Sequence, residues 1–255
     1  MEPNPIVVDF PLRGEWVAYH TPGDRIPSHG VDQLGQRYAY DFMRIEKEPE
    51  GWKFCRASML RYHLVGVTLN NCYGWSEPIF APFAGTVITA RDGWPERNRL
   101  YFLRDLAVVL KNALVFRKKT SDLRPVLGNY IILKMPRKEI YAFFAHARTG
   151  SIRVREGDEV QLGQKLAEVG HSGNSTAPHL HFHLMDSPNI LEANGLPCGF
   201  REYETLRNGV WLKVAAGIPG KREFVRYAEK QRHQLGSKKR GDEGAPLFTA
   251  GYGER

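Results

Sequence analysis

Three histidines stand at alternate positions, His179, His181 and His183, in the run APHLHFHLMDSP (177–188). On a β-strand alternate side chains leave the same face, so the imidazoles would share one surface while Leu180, Phe182 and Leu184 fill a core behind. Neighbouring imidazoles on one strand can both approach a single ion, and neutral ring nitrogen is a good donor to Zn²⁺ at about 2.0–2.1 Å. A solvent-facing polar strand surface is the plain alternative. A metal site needs further donors from distant positions, and the sequence offers few. Of nine histidines, His29 lies upstream of an acid-bearing strand, with His20 as its rival, and His146 closes the strand IYAFFAH. Asp41 sits between Tyr40 and Phe42, where a carboxylate is costly unless a cation or metal pairs with it; a surface ion pair is the alternative. Ser172 in GHSGNS raises the idea of a serine nucleophile. The nucleophile elbow needs glycine two positions to either side, and Asn174 stands where the second should be, so the segment reads as a tight turn.

The elements that must position these groups are mostly strands. Between Phe80 and Asp186, short β-branched and aromatic runs are punctuated by Gly, Pro and Asp. GTVITA (85–90), NYIILKM (129–135), EIYAFFAH (139–146), SIRVRE, KLAEVG and HLHFHLM all read as strands. Gly157-Asp158 and Gly163-Gln164 mark tight reversals, which makes the bulk an antiparallel sheet built from hairpins. One segment departs from this: Leu103, Leu106, Leu110 and Leu114 are three and four apart, with Pro95 suited to a first helical turn, and predict an inserted helix over about 95–118 that extends the core. The fold class expected is mainly β, an antiparallel sheet of barrel-sandwich character with one inserted helix. Residues 1–79 would form N-terminal strands and loops of the same domain, in which GEWVAYHTPGDRIPSHGVDQLGQRYAYDFMR is a looping stretch rich in Pro and Gly that ends in the strand RYAYDFM; 80–205 would form its core, and 206–255 a basic C-terminal extension, disordered from about Gly236.

The chain has 255 residues, 42% of them hydrophobic, enough for one sizeable core. No apolar run approaches the roughly 20 residues that cross a bilayer, and the opening MEPNPIVVDFPLRGEW lacks the basic and apolar regions of an export signal, so a soluble protein is expected. Cys55, Cys72 and Cys198 are too few and too widely spaced for a disulfide framework or a metal knuckle. The formal charge of +8 suits an anionic partner such as nucleic acid, a membrane surface or an acidic wall polymer. No nucleic-acid-binding motif accompanies it, so no nucleic-acid partner is expected.

These elements in this order resemble the lysostaphin and LytM-like zinc endopeptidases, which cut peptide bonds in bacterial peptidoglycan. The likeness runs from about Gly14 to Tyr203 through SHG, GQRYAYDF, APFAGTV, GNYIIL, FFAH and VREGDEVQLGQKLAEVGHSGNSTAPHLHFHLMDSP. It implies a lysostaphin-type fold, zinc held by His29, Asp41 and His181 with water completing the tetrahedron, and catalytic roles for His146 and His179. It places His183 outside the ligand set, as an exposed neighbour. The family's best-known members keep the first histidine and the aspartate four apart, whereas eleven residues separate His29 from Asp41 here. The substrate implied is peptidoglycan peptide in the cell envelope or outside the cell. A scaffold of this fold that has lost catalysis, binding cell wall or activating an amidase, is the alternative. The VREGDEVQLGQKLAEVG hairpins also resemble biotinyl and lipoyl carriers, but no lysine stands at the corresponding turn and shared fold does not carry function.

Overall fold

The computed structural model describes residues 4–48, 51–115 and 122–228. The fold is mainly β, dominated by one 12-stranded sheet that does not close into a barrel. Its main path runs Ile6–Asp9, Cys198–Arg207, Phe224–Tyr227, Glu15–His20, Tyr40–Met43, Leu180–Met185, Tyr141–Ala147, Asn129–Lys134, Gly85–Arg91, Glu159–Val160. Gly195–Leu196 pairs with Leu180–Met185, and Val210–Gly217 with Cys198–Arg207. All of these ladders are antiparallel except that of Ile6–Asp9 with Cys198–Arg207, which makes the sheet mixed.

Alternation along the central strands sorts side chains between two faces. Tyr40, Phe42, Phe144, Leu180, Phe182 and Leu184 join Phe10, Trp16 and Phe200 in the main core. Phe10 packs edge-on against Phe42 and Phe200, with ring centroids 5.0 and 5.3 Å apart, an arrangement that matches the positive edge of one ring to the negative face of another. The opposite face of the same strands carries Ile132, Phe143, Ala145 and Met185 in a smaller cluster, and it is this face that bears the histidines.

Four expectations change. The inserted helix runs Phe102–Val115, starting later than 95, because Arg99–Leu100 is drawn into a short ladder with Val67–Thr68 and Glu96 bridges to Ser172. SIRVRE forms no strand: Arg153 N–H bonds to the Leu166 carbonyl at 2.8 Å, but no continuous ladder develops. The segment GEWVAYH, read as loop, supplies the strand Glu15–His20, whose consecutive buried Trp16, Val17 and Ala18 hide the alternation that would announce it. Residues 206–228, read as extension, supply the strands Val210–Gly217 and Phe224–Tyr227. The disorder expected from Gly236 lies outside the described residues. The reversals at Gly157 and Gly163 are present, with φ of +91° and +76°. All three cysteines are free and buried. No helix among the described residues is long and apolar enough to cross a membrane.

The segment before the long helix anchors the turn that precedes the histidine strand. Asp105, fully buried, accepts from Arg97 Nε at 2.9 Å. The same guanidinium donates to the carbonyls of Gly173 and Ser175 and lies 3.1 Å from His171 Nε2. A buried carboxylate paired in this way fixes geometry more than it adds net stability. Here it clamps the loop His171–Ser175 against the helix. Ser172 is fully buried in that loop, its Oγ accepting from Asn129 N–H and donating to the Ala147 carbonyl, which is the role of a turn residue.

Candidate functional site

The histidine strand and the aspartate strand are neighbours, and their register sets His181 directly opposite Asp41. On the other side of Asp41, a bulge between Ala18 and His20 sets His20 opposite it. With Tyr40 and Phe42 committed to the core, the Asp41 carboxylate leaves the other face, where imidazoles surround it. His181 Nδ1 lies 2.9 Å from Oδ1, His29 Nε2 2.9 Å from Oδ2 and His20 Nδ1 2.8 Å from Oδ2. His179 Nε2 is 3.6 Å from Oδ1. His29 arrives on the loop before Gln33–Tyr38, its Nδ1 3.0 Å from Ser28 Oγ.

His146 reaches the same place by an irregularity. Strict alternation would send it to the face of Phe144, away from Ala145. The ladder between Asn129–Lys134 and Tyr141–Ala147 shifts register at this point, and His146 takes a left-handed φ of +62°. A bulge places an extra residue on one strand and re-aims its side chain, and a non-glycine residue in this region costs energy that its surroundings must repay. The ring therefore turns to the site, its centroid 4.8 Å from that of His179 and 6.0 Å from that of His181.

Hydrogen bonds fix which nitrogen of each ring faces the cavity. His146 Nδ1 lies 2.9 Å from the Ser172 carbonyl and His179 Nδ1 2.7 Å from the Ala177 carbonyl. A carbonyl only accepts, so both Nδ1 atoms carry protons and both Nε2 atoms are left with lone pairs. Burial drives the His146 pKa well below the usual value, and His179 and His181 add to this. His181 is lowered chiefly by burial, despite its bond to Asp41. For Asp41, burial opposes the charge, but His29, His179 and the bonds from His181 and His20 outweigh it and hold the carboxyl well below its usual range. His29 moves the other way: burial lowers its pKa, but attraction to Asp41 and the hydrogen bond to it prevail, and the result is raised.

All five residues singled out in the sequence thus meet at one cavity of about 300 Å³. Two residues join them. His20 ranked there as a rival to His29, and both are present. His183, expected as an exposed neighbour, is buried, with Nδ1 3.2 Å from His181 Nε2. It is covered because Gly35, at φ +71°, presses so close that a Cβ there would stand 3.3 Å from His183 Nε2. That Nε2 has no hydrogen-bond partner among the described residues. Burial, with His181 and His29 nearby, holds the His183 pKa well down, so the ring is neutral. The HxHxH spacing carried the signal for His183; nothing in the sequence announced the covering loop. The long helix also contributes: Val109 lines the cavity, so the helix borders the site as well as packing on the fold.

His183 can set the proton of His181. If its Nδ1 accepts from His181 Nε2–H, the His181 Nδ1 lone pair is free to face the cavity. Partners of this outer kind typically alter metal affinity 10- to 100-fold. Should His181 hold a metal ion, His183→Leu is expected to weaken its binding by about that factor. His183→Asn, whose Oδ1 stands near the position of Nδ1, should recover most of it; competition against a chromophoric chelator measures both.

Residues 108–193, which include His146, His179, His181 and His183, match peptidase family M23. Among solved structures, a single-substitution variant of the catalytic domain of the prophage-encoded M23 protein EnpA from Enterococcus faecalis is 21% identical, with 48% of this chain and 68% of that one covered and a TM-score of 0.32. A zinc containing peptidase from Vibrio cholerae is 19% identical over 71% of this chain, at a TM-score of 0.36, and this chain spans only 37% of its length. The catalytic domain of the antimicrobial peptidase lysostaphin from Staphylococcus simulans is 18% identical over 72% of this chain and 88% of that one, at a TM-score of 0.37. With TM-scores this low the solved structures carry no argument about this chain, and what the comparisons show is that residues 108–193 match the model of peptidase family M23.

Proposed function

We propose that this protein is a zinc-dependent endopeptidase that hydrolyses peptide bonds in bacterial peptidoglycan cross-bridges or stem peptides. The observation that carries the reading is the convergence of the His29, Asp41 and His181 donor atoms with the Nε2 lone pairs of His146 and His179 at one cavity. The donor types suit zinc: His20, His29 and Asp41 each offer one donor atom within 4.8 Å of the others, while His181 Nδ1, 2.9 Å from the other Asp41 oxygen, lies outside that group and would join a single ion only if the carboxylate or the ring turned. Without metal, His181 Nδ1 must donate to Asp41 Oδ1, since a carboxylate only accepts; ligation through Nδ1 requires that proton to shift to Nε2, where His183 Nδ1 stands 3.2 Å away.

His29, Asp41 and His181 would hold the ion. When bound, zinc supplies an acidified water and polarises the scissile carbonyl. The chain's own part is proton traffic and positioning. His179 Nε2, held toward Asp41 by the Ala177 carbonyl behind it, is placed to take the water's proton and pass it to the leaving amine. His146, held by the Ser172 carbonyl, turns its Nε2 lone pair to the same space and is placed to take the proton in place of His179; whichever ring has gained that proton can then donate to the developing oxyanion.

His20 supports a second reading. Its Nδ1 is as close to Asp41 as His29 is. Four protein donors on one zinc make a closed, structural site with no vertex for water, as suits an inactive scaffold that binds cell wall or activates an amidase. His29 is the better-held ligand, with its side chain 17% exposed against 43% for His20. Digestion of peptidoglycan of several wall types decides between the two. New amino termini released by the zinc-loaded protein, and none after chelation, are expected; stoichiometric zinc without released termini would establish the scaffold.

A further inference from the structure

Away from the histidine cavity, the helix Met59–Leu64 is followed by Val67–Thr68, which pairs with Arg99–Leu100 just ahead of the helix Phe102–Val115, so the ladder brings the two helices together. The two helices meet where Phe102 packs against Tyr62 and His63, with ring centroids 6.3 and 5.3 Å apart. Their outer face is apolar yet open. Leu60 and Leu64 are 70% and 71% exposed on the first helix, and Leu103 is 73% exposed on the second. Leu106 and Leu110 continue the stripe one and two turns on, also exposed. An apolar helix face left in water in this way marks an interaction site rather than a scatter of surface leucines.

Beside the stripe is a second pocket, about 310 Å³, lined by Arg56, Arg61, Arg99, Thr68 and Asn71 and by no acidic residue. Among the described residues none of the three arginines forms an ion pair. Arg99 Nη1 reaches only the Val65 carbonyl, at 3.4 Å, and the Arg56 guanidinium lies 5.4 Å from the centre of the Tyr73 ring. Three unpaired guanidiniums with hydroxyl and amide donors beside them suit a phosphate group.

We propose that this face docks onto an anionic phospholipid bilayer, with a lipid phosphate in the arginine pocket and Leu60, Leu64 and Leu103 among the acyl chains. The pairing of features selects the occupant. A phosphate-bearing wall polymer would satisfy the arginines but leave the leucines in water. A second copy of this face would set arginine pocket against arginine pocket. The chain's own segment 229–255 carries more Lys and Arg than Asp and Glu, so it does not complement the pocket either. A basic surface joined to a shallow apolar stripe is the combination that binds membrane interfaces. The long helix would link the two regions, since Val109 lines the histidine cavity while Leu103, Leu106 and Leu110 face outward.

Flotation of the full chain with vesicles tests this. Retention on phosphatidylcholine vesicles containing about 30% phosphatidylglycerol is expected, at least about tenfold stronger than on pure phosphatidylcholine and weakened by salt. Arg61→Gln should lower it about fivefold, and Leu64→Ser with Leu103→Ser together about tenfold or more, without changing zinc content. In a separate variant, Leu103→Trp, brominated acyl chains should quench the indole. Absence of retention, retention unaffected by the serine pair, or an unquenched indole would each overturn the proposal. So would a dimer in solution that the serine pair dissolves while vesicle binding stays nil.

Discussion

Asp41→Ala is expected to leave purified protein without zinc, its affinity down by more than the 10- to 100-fold that loss of an outer partner costs. The carboxylate is the one anionic donor and stands at the hub: His20, His29 and His181 each contact one of its oxygens. Removing it deletes a ligand and also the charge that holds the imidazoles together. His181→Ala should lose zinc as well, because it takes away the donor opposite Asp41 in the ladder. His29→Ala and His20→Ala separate the rival ligands: zinc is expected to fall in the first and to remain stoichiometric in the second. Elemental analysis of the four variants, alongside circular dichroism to establish folding, reads this out. Stoichiometric zinc in both Asp41→Ala and His181→Ala would remove the ligand assignment and the proposed activity with it.

His146→Ala and His179→Ala are expected to keep zinc and lose turnover by about 10²- to 10⁴-fold each, the range for a positioned acid, base or oxyanion donor. Neither Nε2 is needed to hold the ion in the proposed set, and both face the cavity with lone pairs because a backbone carbonyl occupies the opposite nitrogen. The double variant should be little worse than the poorer single one, since groups that act together are not additive. Rates on a defined peptidoglycan peptide, with zinc content measured on the same samples, check both statements. Zinc loss in His146→Ala would show that this ring is a ligand and would redraw the site.

The strands of the core were legible because their chemistry is local. HLHFHLM and IYAFFAH alternate apolar and polar groups or bury both faces, and each forms close to its expected place, while of RYAYDFM only Tyr40–Met43 is strand, Arg37 and Tyr38 closing a 3-10 turn. The same local logic identified Asp41 as a carboxylate needing a partner. Glu15–His20 was not legible, since three consecutive buried residues give no period, and the strands after residue 206 had too exposed a pattern to be told from a surface tail. The helix boundary was misplaced because Arg99–Leu100 is extended only through pairing with Val67–Thr68, a partner some thirty residues away.

For the site, sequence alone determined the cast: an HxH strand, an acid flanked by aromatics, and a histidine closing a third strand. Residue type and period-two alternation are written into each segment, and no folding is needed to read them. Tertiary structure decided the convergence. The register that sets His181 against Asp41, the left-handed turn that brings His146 to their face, the bulge that adds His20 and the glycine loop that covers His183 all depend on strand pairing and close approach between segments far apart in the chain. Such contacts are set by which elements pack together, and a local pattern carries no record of that choice.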